Sequence, residues 1–423
     1  MTNNTGVLVS HLDKRPDLVI FIKELSLHRN LTLFISEKDQ IIVDNLNISS
    51  HIIDHKKSNK NKFLSFFYNL FYKRHKLKKN HVLYRLRRIG ISNKLKMVIN
   101  LFWIYISENF SGLLSYEKYL SFIDISEFKD LKISSLLVVS IIEGDSLVSF
   151  CFKKKIPINY YLYSWDHPFK ENRIGNLYDN IFVWSEGLKN DLIINHSINE
   201  NRIKIIGSTQ LIFLDKYIKS SIETNKPLNK YIYIVMAQGR EELINQELEF
   251  IERLKSSMKN EKINLNIVVR IYPNLLINDQ NSLISRLDQI GVTLDDGRTI
   301  FDNGEKAAFE KFSLISNADL IIHTGTTVGI ESLFLNDRVV FFNFGNTQFK
   351  SQSKVPYFLD MKTVLNQHHL RKYFVNEEYN MVAGNIDECI NIVINNQMKI
   401  KNRDVDLKLR STKELVNSLL LNI

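Results

Sequence analysis

Apolar and polar positions along the chain alternate between two periods. Short runs with the spacing of strands begin with "GVLVSHL" at residue 6, "LTLFISE" at 31 and "QIIVDN" at 40. They continue through "ISSLLVVSIIEGD" at 133, "NYYLYS" at 159, "YDNIFVW" at 178 and "NRIKIIG" at 201. Between them lie stretches with helical spacing, such as "RPDLVIFIKELSLHR" from 15, where Pro16 fits a first helical turn. The polar stretch "IKSSIETNKPLNK" at 218 breaks the pattern. The pattern then restarts. "YIYIVMAQG" at 231, "LNIVVRIYP" at 265, "TIFDNG" at 299, "DLIIHTG" at 319 and "RVVFFNFG" at 338 are predicted strands. The segments 241–258, 306–318, 327–336, 385–396 and 411–423 are predicted helices.

Regular alternation of strand and helix predicts an α/β fold with parallel sheets, and the interruption predicts two Rossmann-like domains with a cleft between them. The boundaries that follow are an N-terminal domain over 1–215 with a basic helical insert at about 56–96, a linker at 216–230 and a C-terminal domain over 231–405. The last helix, 406–423, is expected to pack back on the N-terminal domain. Ligands of such sheets bind beyond the carboxyl ends of the strands, so residues that follow strands are the candidates for chemistry.

The most distinctive of these stretches is "LIIHTGTTVGIESLFL". An apolar run ends in His323, and Thr324, Gly325, Thr326 and Thr327 precede a helix that carries Glu331. A helix start presents unpaired N–H groups and the positive end of the helix dipole, which suits a phosphate. Glu331 lies one turn beyond Thr327 on the same face, where a carboxylate accepts hydrogen bonds from ribose hydroxyls. Threonine is equally a common helix cap, so a plain cap with a solvated Glu331 is the alternative. Arg270 ends the strand "NIVVR" and is either a bidentate phosphate ligand or a surface arginine. Gln238 and Gly239 follow the first strand of the second half, where glycine lets a ligand approach the backbone or simply makes a turn. In the N-terminal half, Asp166 and His167 end a strand and form a candidate general base; the alternative is a turn capped by Asp166. His11 and Asp13 follow the first strand, which makes Asp13 a second candidate base.

Composition narrows the classes. Of 423 residues, 44% are hydrophobic and few are Gly or Pro, which excludes disordered and collagen-like chains. Two distant cysteines, Cys151 and Cys389, and eleven histidines without metal spacing predict no metal centre and no disulfide framework. No signal peptide and no transmembrane helix is expected, so a cytoplasmic protein is. The net charge of +10 is concentrated: from Lys56 to Lys96 there is no Asp or Glu, while phenylalanines fall at helical spacing among the lysines. Three readings fit this block: a solvated helical face, an amphipathic surface for anionic lipid, and nucleic-acid binding. No nucleic-acid motif accompanies the charge, so nucleic acid ranks last.

Together these segments resemble bacterial surface-polysaccharide glycosyltransferases of the GT-B fold. The resemblance rests on Ser164, Trp165 and Asp166, on Val183 and Trp184, on Arg202, Ile203 and Gly207, and on Arg270, Pro273 and "SNADLIIHTGTTVGIESLFLNDRVVFFN". It covers about residues 158 to 345 and extends to families that transfer CDP-linked polyols. The chain departs from the pattern at His167, where Asn is usual, at Tyr272, where His occurs, and at Asp337 and Arg338, where Pro is common. The resemblance implies two Rossmann-like domains facing each other across a cleft. It implies donor binding by Arg270, His323, Thr324, Gly325, Thr326, Thr327 and Glu331, and no metal or other cofactor beside the nucleotide-sugar substrate. It implies transfer of a sugar to a glycan or lipid-linked glycan of capsule, O-antigen or lipooligosaccharide; the basic segment 56–96 is expected to give a peripheral contact with the inner face of the cytoplasmic membrane. A CDP-polyol phosphotransferase, a nucleotide-sugar epimerase and a non-catalytic assembly protein are the rivals.

Overall fold

The structure is a computed structural model. It describes residues 4–53, 98, 102, 116–139, 145–165, 174, 177–220, 230–236, 241–273, 280–342, 371–375, 381–395, 405 and 407–423. The basic segment 56–96, most of the expected linker, and Asp166, His167, Gln238 and Gly239 lie outside the described residues. The chain divides into two compact units. The first comprises Met1–Ile212, Pro356–His369 and Leu407–Ile423, and the second Phe213–Val355 and Leu370–Asp406.

The first unit holds a sheet of seven strands: β1 (Asn4–Leu8), β2 (Asn30–Ile35), β3 (Ser49–Ile52), β4 (Ser135–Val139), β5 (Ile158–Tyr161), β6 (Asn180–Val183) and β7 (Ile203–Ile205). Their order is β3-β2-β1-β4-β5-β6-β7, with every pairing parallel. β4 is buried along its whole length, as a strand covered by helices on both faces must be. The helix Pro16–Ser26 starts with proline, whose missing N–H costs nothing there. The helix Glu186–His196 is capped by Ser185, whose Oγ accepts from the Leu188 N–H at 3.3 Å. The last helix, Thr412–Leu420, belongs to this unit and buries Leu415, Val416 and Leu419 against it. Ser411 and Glu414 close a reciprocal capping box at its start.

The second unit holds six parallel strands: β8 (Tyr231–Val235), β9 (Asn266–Arg270), β10 (Thr293–Asp295), β11 (Leu320–His323), β12 (Val339–Phe342) and β13 (Met381–Ala383). Their order is β10-β9-β8-β11-β12-β13. Alternate residues of these strands, among them Ile232, Ile234, Val269, Leu320, Ile322 and Val340, form one core with Leu248, Ile251 and Leu254 of the helix Glu241–Asn260 and with Cys389 and Val393 of the helix Ile386–Ile394. The intervening residues, including Tyr233, Arg270, His323 and Phe341, therefore point to the other face. In both sheets the strand order reverses beside the first strand, between β1 and β4 and between β8 and β11. Such switch points open a crevice beyond the strand ends.

Two predicted strands are helical. Gln40–Leu46 is a short helix in which Val43 is the buried residue. It follows a 3-10 turn whose Asp39 carboxylate accepts the N–H groups of His11 and Leu12 at 3.1 and 2.7 Å. "TIFDNG" opens the long helix Thr299–Asn317, which kinks at Gly304, where φ is 47° and ψ −113°. The glycine allows helix on both sides of a bend that reads as a turn in sequence. The helix Gln280–Ile290 and the strands β10 and β13 were not anticipated by the pattern. Among the described residues, no helix is long and apolar enough to cross a membrane.

Candidate functional site

The register of the second sheet places Asp295, Arg270, Val235, His323 and Phe341 side by side in one row at its carboxyl edge. The row crosses the switch point between β8 and β11, and its side chains share the face away from the core described above. Adjacent strands stand about 4.8 Å apart, within reach of long polar side chains.

At the middle of the row, β11 ends in His323, whose ring has no exposed surface. It packs against Phe341 and Phe374 with ring centroids 5.5 and 5.3 Å away. Its Nδ1 accepts the Gly325 N–H at 3.2 Å, so the neutral ring carries its proton on Nε2. Gly325 has φ 95°, a conformation that favours glycine. The helix Thr327–Leu335 follows, with Thr326 as its N-cap in extended conformation. The Thr326 hydroxyl makes no cap bond, and its oxygen is buried without a hydrogen-bond partner. The Thr324 hydroxyl lies 3.5 Å from an oxygen of the buried Glu247, from the helix Glu241–Asn260. The helix start is thus not closed by its own threonine.

Beneath this turn lies a group of buried charges. Arg270, the last residue of β9, donates to Asp295 at 2.7 Å, and the Tyr233 hydroxyl donates to the same carboxylate oxygen. Burial disfavours the Arg270 charge, but its neighbours Tyr233 and Asp295 outweigh that and hold it charged. Lys311, from the helix Thr299–Asn317, donates to Glu331 Oε2 at 2.6 Å, with side chains only 9% and 5% exposed. Burial lowers the Lys311 pKa, and the Glu331 charge opposes the shift. Two cations and two anions balance, which keeps a buried charged cluster tolerable.

The first unit has a second polar cluster beyond its own strand ends. Asp17 sits in the first turn of the helix after β1 and accepts from the Tyr163 hydroxyl at 3.1 Å. The Arg15 guanidinium lies 4.3 Å from the Tyr163 ring centroid. The Tyr161 hydroxyl accepts the Thr209 N–H at 2.8 Å. Burial pushes the Asp17 carboxyl above the ordinary range, and the bond from Tyr163 and the charge of Arg15 offset only part of this.

The structure brings Arg270, Thr324, Gly325, Thr326, Thr327 and Glu331 together at one sheet edge. His323 has no exposed surface, and its Nδ1 accepts the Gly325 N–H of the turn. Arg270 stands at the predicted strand end, yet its guanidinium is turned into a buried ion pair. Asp13 is exposed in the 3-10 turn Leu12–Lys14, whereas Asp17, four residues on, is the buried acid. Sequence reasoning missed Asp17, Tyr233, Glu247, Asp295 and Lys311. Of these, only Asp17 carried a signal, as an acid in the first turn after a proline. Trp184, one of the residues carrying the resemblance, is buried and donates from Nε1 to the Leu162 carbonyl at 3.0 Å, a packing role. Among the described residues, no group of three or more His, Cys, Asp or Glu side chains is placed to hold a metal ion.

No protein-family model matches the chain, and no curated protein matches its sequence. Solved structures match its fold. A structure from Listeria monocytogenes, assigned as a UDP-N-acetylglucosamine 2-epimerase, superposes with a TM-score of 0.50 at 11% identity, over 99% of this chain and 95% of that one. The UDP-GlcNAc 2-epimerase of Methanocaldococcus jannaschii, solved with UDP-GlcNAc and UDP, gives 0.49 at 13% identity over 99% of both chains. MurG of Acinetobacter baumannii gives 0.46 at 11% identity over 100% of this chain and 98% of that one. The chain has the α/β fold of the GT-B class, with two units each built on a parallel sheet.

Proposed function

We propose that the protein is a glycosyltransferase that takes a sugar from a nucleotide-activated donor and adds it to a surface glycan. The observation that carries this reading is the helix start at Thr326, whose hydroxyl makes no cap bond, at the switch point of the second sheet beside a neutral cluster of buried charges. The N–H groups of that first turn and the hydroxyls of Thr324, Thr326 and Thr327 receive the diphosphate. Glu331 receives the ribose hydroxyls. Arg270, paired with Asp295, holds the sheet edge beside the site rather than making a direct bond. Such an arrangement stabilises the departing diphosphate by positioning and dipole, without a cofactor other than the donor.

The acceptor side belongs to the first unit in this reading. Asp17 joins Asp13, Asp166 and His167 as a candidate to accept the proton of the attacking hydroxyl. The basic, phenylalanine-bearing segment 56–96 gives a cytoplasmic protein a peripheral contact with the inner membrane surface, where a lipid-linked acceptor resides. Nucleic acid has no place in the reading.

The test is incubation with radiolabelled UDP-, GDP- and CMP-sugars and a CDP-polyol, with and without lipid-linked glycan acceptor. Transfer that requires acceptor is the expected result. An altered sugar nucleotide formed from donor alone identifies an epimerase instead, and transfer of a polyol phosphate identifies a phosphotransferase. Absence of binding to every donor leaves a non-catalytic assembly protein.

A further inference from the structure

We propose that Lys311 is a positioning residue for Glu331, holding one carboxylate oxygen inward so that the other meets the ribose hydroxyls of a bound nucleotide; the proposal rests on the nucleotide-binding reading above. Lys311 and Glu331 lie twenty residues apart on two helices that pack together. The ammonium donates to Oε2 at 2.6 Å. Among the described residues, Oε1 has no hydrogen-bond partner. The lysine is itself fixed: its Nζ lies 4.4 Å from the centroid of the Phe312 ring, and its side chain is only 9% exposed.

The chemistry requires such a partner. A vicinal diol offers two O–H donors and is best met by an ionised carboxylate. Lys311 supplies the cation that a buried carboxylate needs beside it and fixes the rotamer of Glu331. It does not touch the nucleotide, so its effect is carried wholly by Glu331.

The test is calorimetric binding of uridine 5′-diphosphate and 2′-deoxyuridine 5′-diphosphate, with the guanosine and cytidine pairs run in parallel. The proteins are the wild type, Lys311→Met, Lys311→Arg, Glu331→Gln and the double variant Lys311→Met/Glu331→Gln. The wild type prefers the ribonucleotide by about tenfold or more, the scale of one lost charge-assisted hydrogen bond. Lys311→Met loses this preference while its affinity for the deoxynucleotide stays within about twofold, and Lys311→Arg retains it. In the Glu331→Gln background, Lys311→Met changes nothing further. A Lys311→Met protein that weakens both ligands equally, or keeps the preference, overturns the proposal. Should Lys311→Met fail to fold, the double variant, with both charges removed, still decides it: a preference different from that of Glu331→Gln alone overturns it. A wild type that binds nucleotides without preference overturns the proposal and leaves nucleotide binding standing. A wild type that binds none of them overturns both.

Discussion

The imidazole of His323 fills the space that a side chain at position 329 would need. A Cβ built on Gly329 would lie 2.3 Å from His323 Nδ1 and 2.4 Å from Cε1. The glycine lets the start of the helix Thr327–Leu335 settle directly on the buried ring, which in turn holds the Gly325 N–H. The cluster "HTGTTVG" is therefore a layered device: ring below, turn above.

Gly329→Ala separates this packing from helix propensity. Inside a helix, alanine is favoured over glycine by about 1 kcal/mol, so propensity alone predicts stabilisation. The ring at 2.3 Å is fully buried and packs against both Phe341 and Phe374. Overpacking of this kind costs about 1–3 kcal/mol. Urea denaturation is expected to show a net loss of stability, and a gain would show that the ring yields.

Burial, not distance, decides the worth of the ion pairs. Arg270–Asp295 and Lys216–Glu305 have nearly equal separations, 2.7 and 2.6 Å, but side-chain exposures of 7% and 13% against 61% and 38%. Arg270→Ala leaves Asp295 buried without its cation and is expected to cost about 3–5 kcal/mol. Lys216→Ala is expected to change stability by less than about 1 kcal/mol. Matched denaturation curves check the contrast, and equal losses would refute it.

Asp17 gives stability a pH dependence of defined sign. Its carboxyl is held above the ordinary value of 3.8, so the folded chain binds the proton more tightly than the unfolded one. Stability contributed by the neutral carboxyl is lost as pH rises from just above 3.8 through the folded-state value. Asp17→Asn keeps an acceptor for Tyr163 and removes the titration. The variant is expected to gain on the wild type as pH is raised from 4 to 7, measured as the difference in unfolding midpoint. A difference that shrinks over that range would contradict the placement of Asp17.

Much of this was legible from the chain. The apolar run into His323 and the Gly–Thr turn announce a strand passing to a helix start, because both signals are local. The pairing of Lys311 with Glu331 was not legible, since "KAAFEKF" reads as a helix with solvated lysines and its partner is on another helix. Asp295 and Tyr233 were missed for a similar reason: their meeting with Arg270 depends on the register of three strands. "QIIVDN" reads as a strand because its apolar run is short and continuous, and nothing local shows that only Val43 is to be covered. Position after a strand pointed to Asp13 as readily as to Asp17, and only packing separates them.

The second unit is expected to bind a nucleoside diphosphate at the turn 324–327. Isothermal calorimetry of the wild-type chain with UDP, GDP and CDP, each beside its unphosphorylated nucleoside, tests it most directly. Saturable binding is expected in one base series, with the diphosphate at least about tenfold tighter than its nucleoside, the scale of charge-assisted hydrogen bonds at a helix start. No binding in any series, or equal affinity for nucleoside and diphosphate, would contradict it.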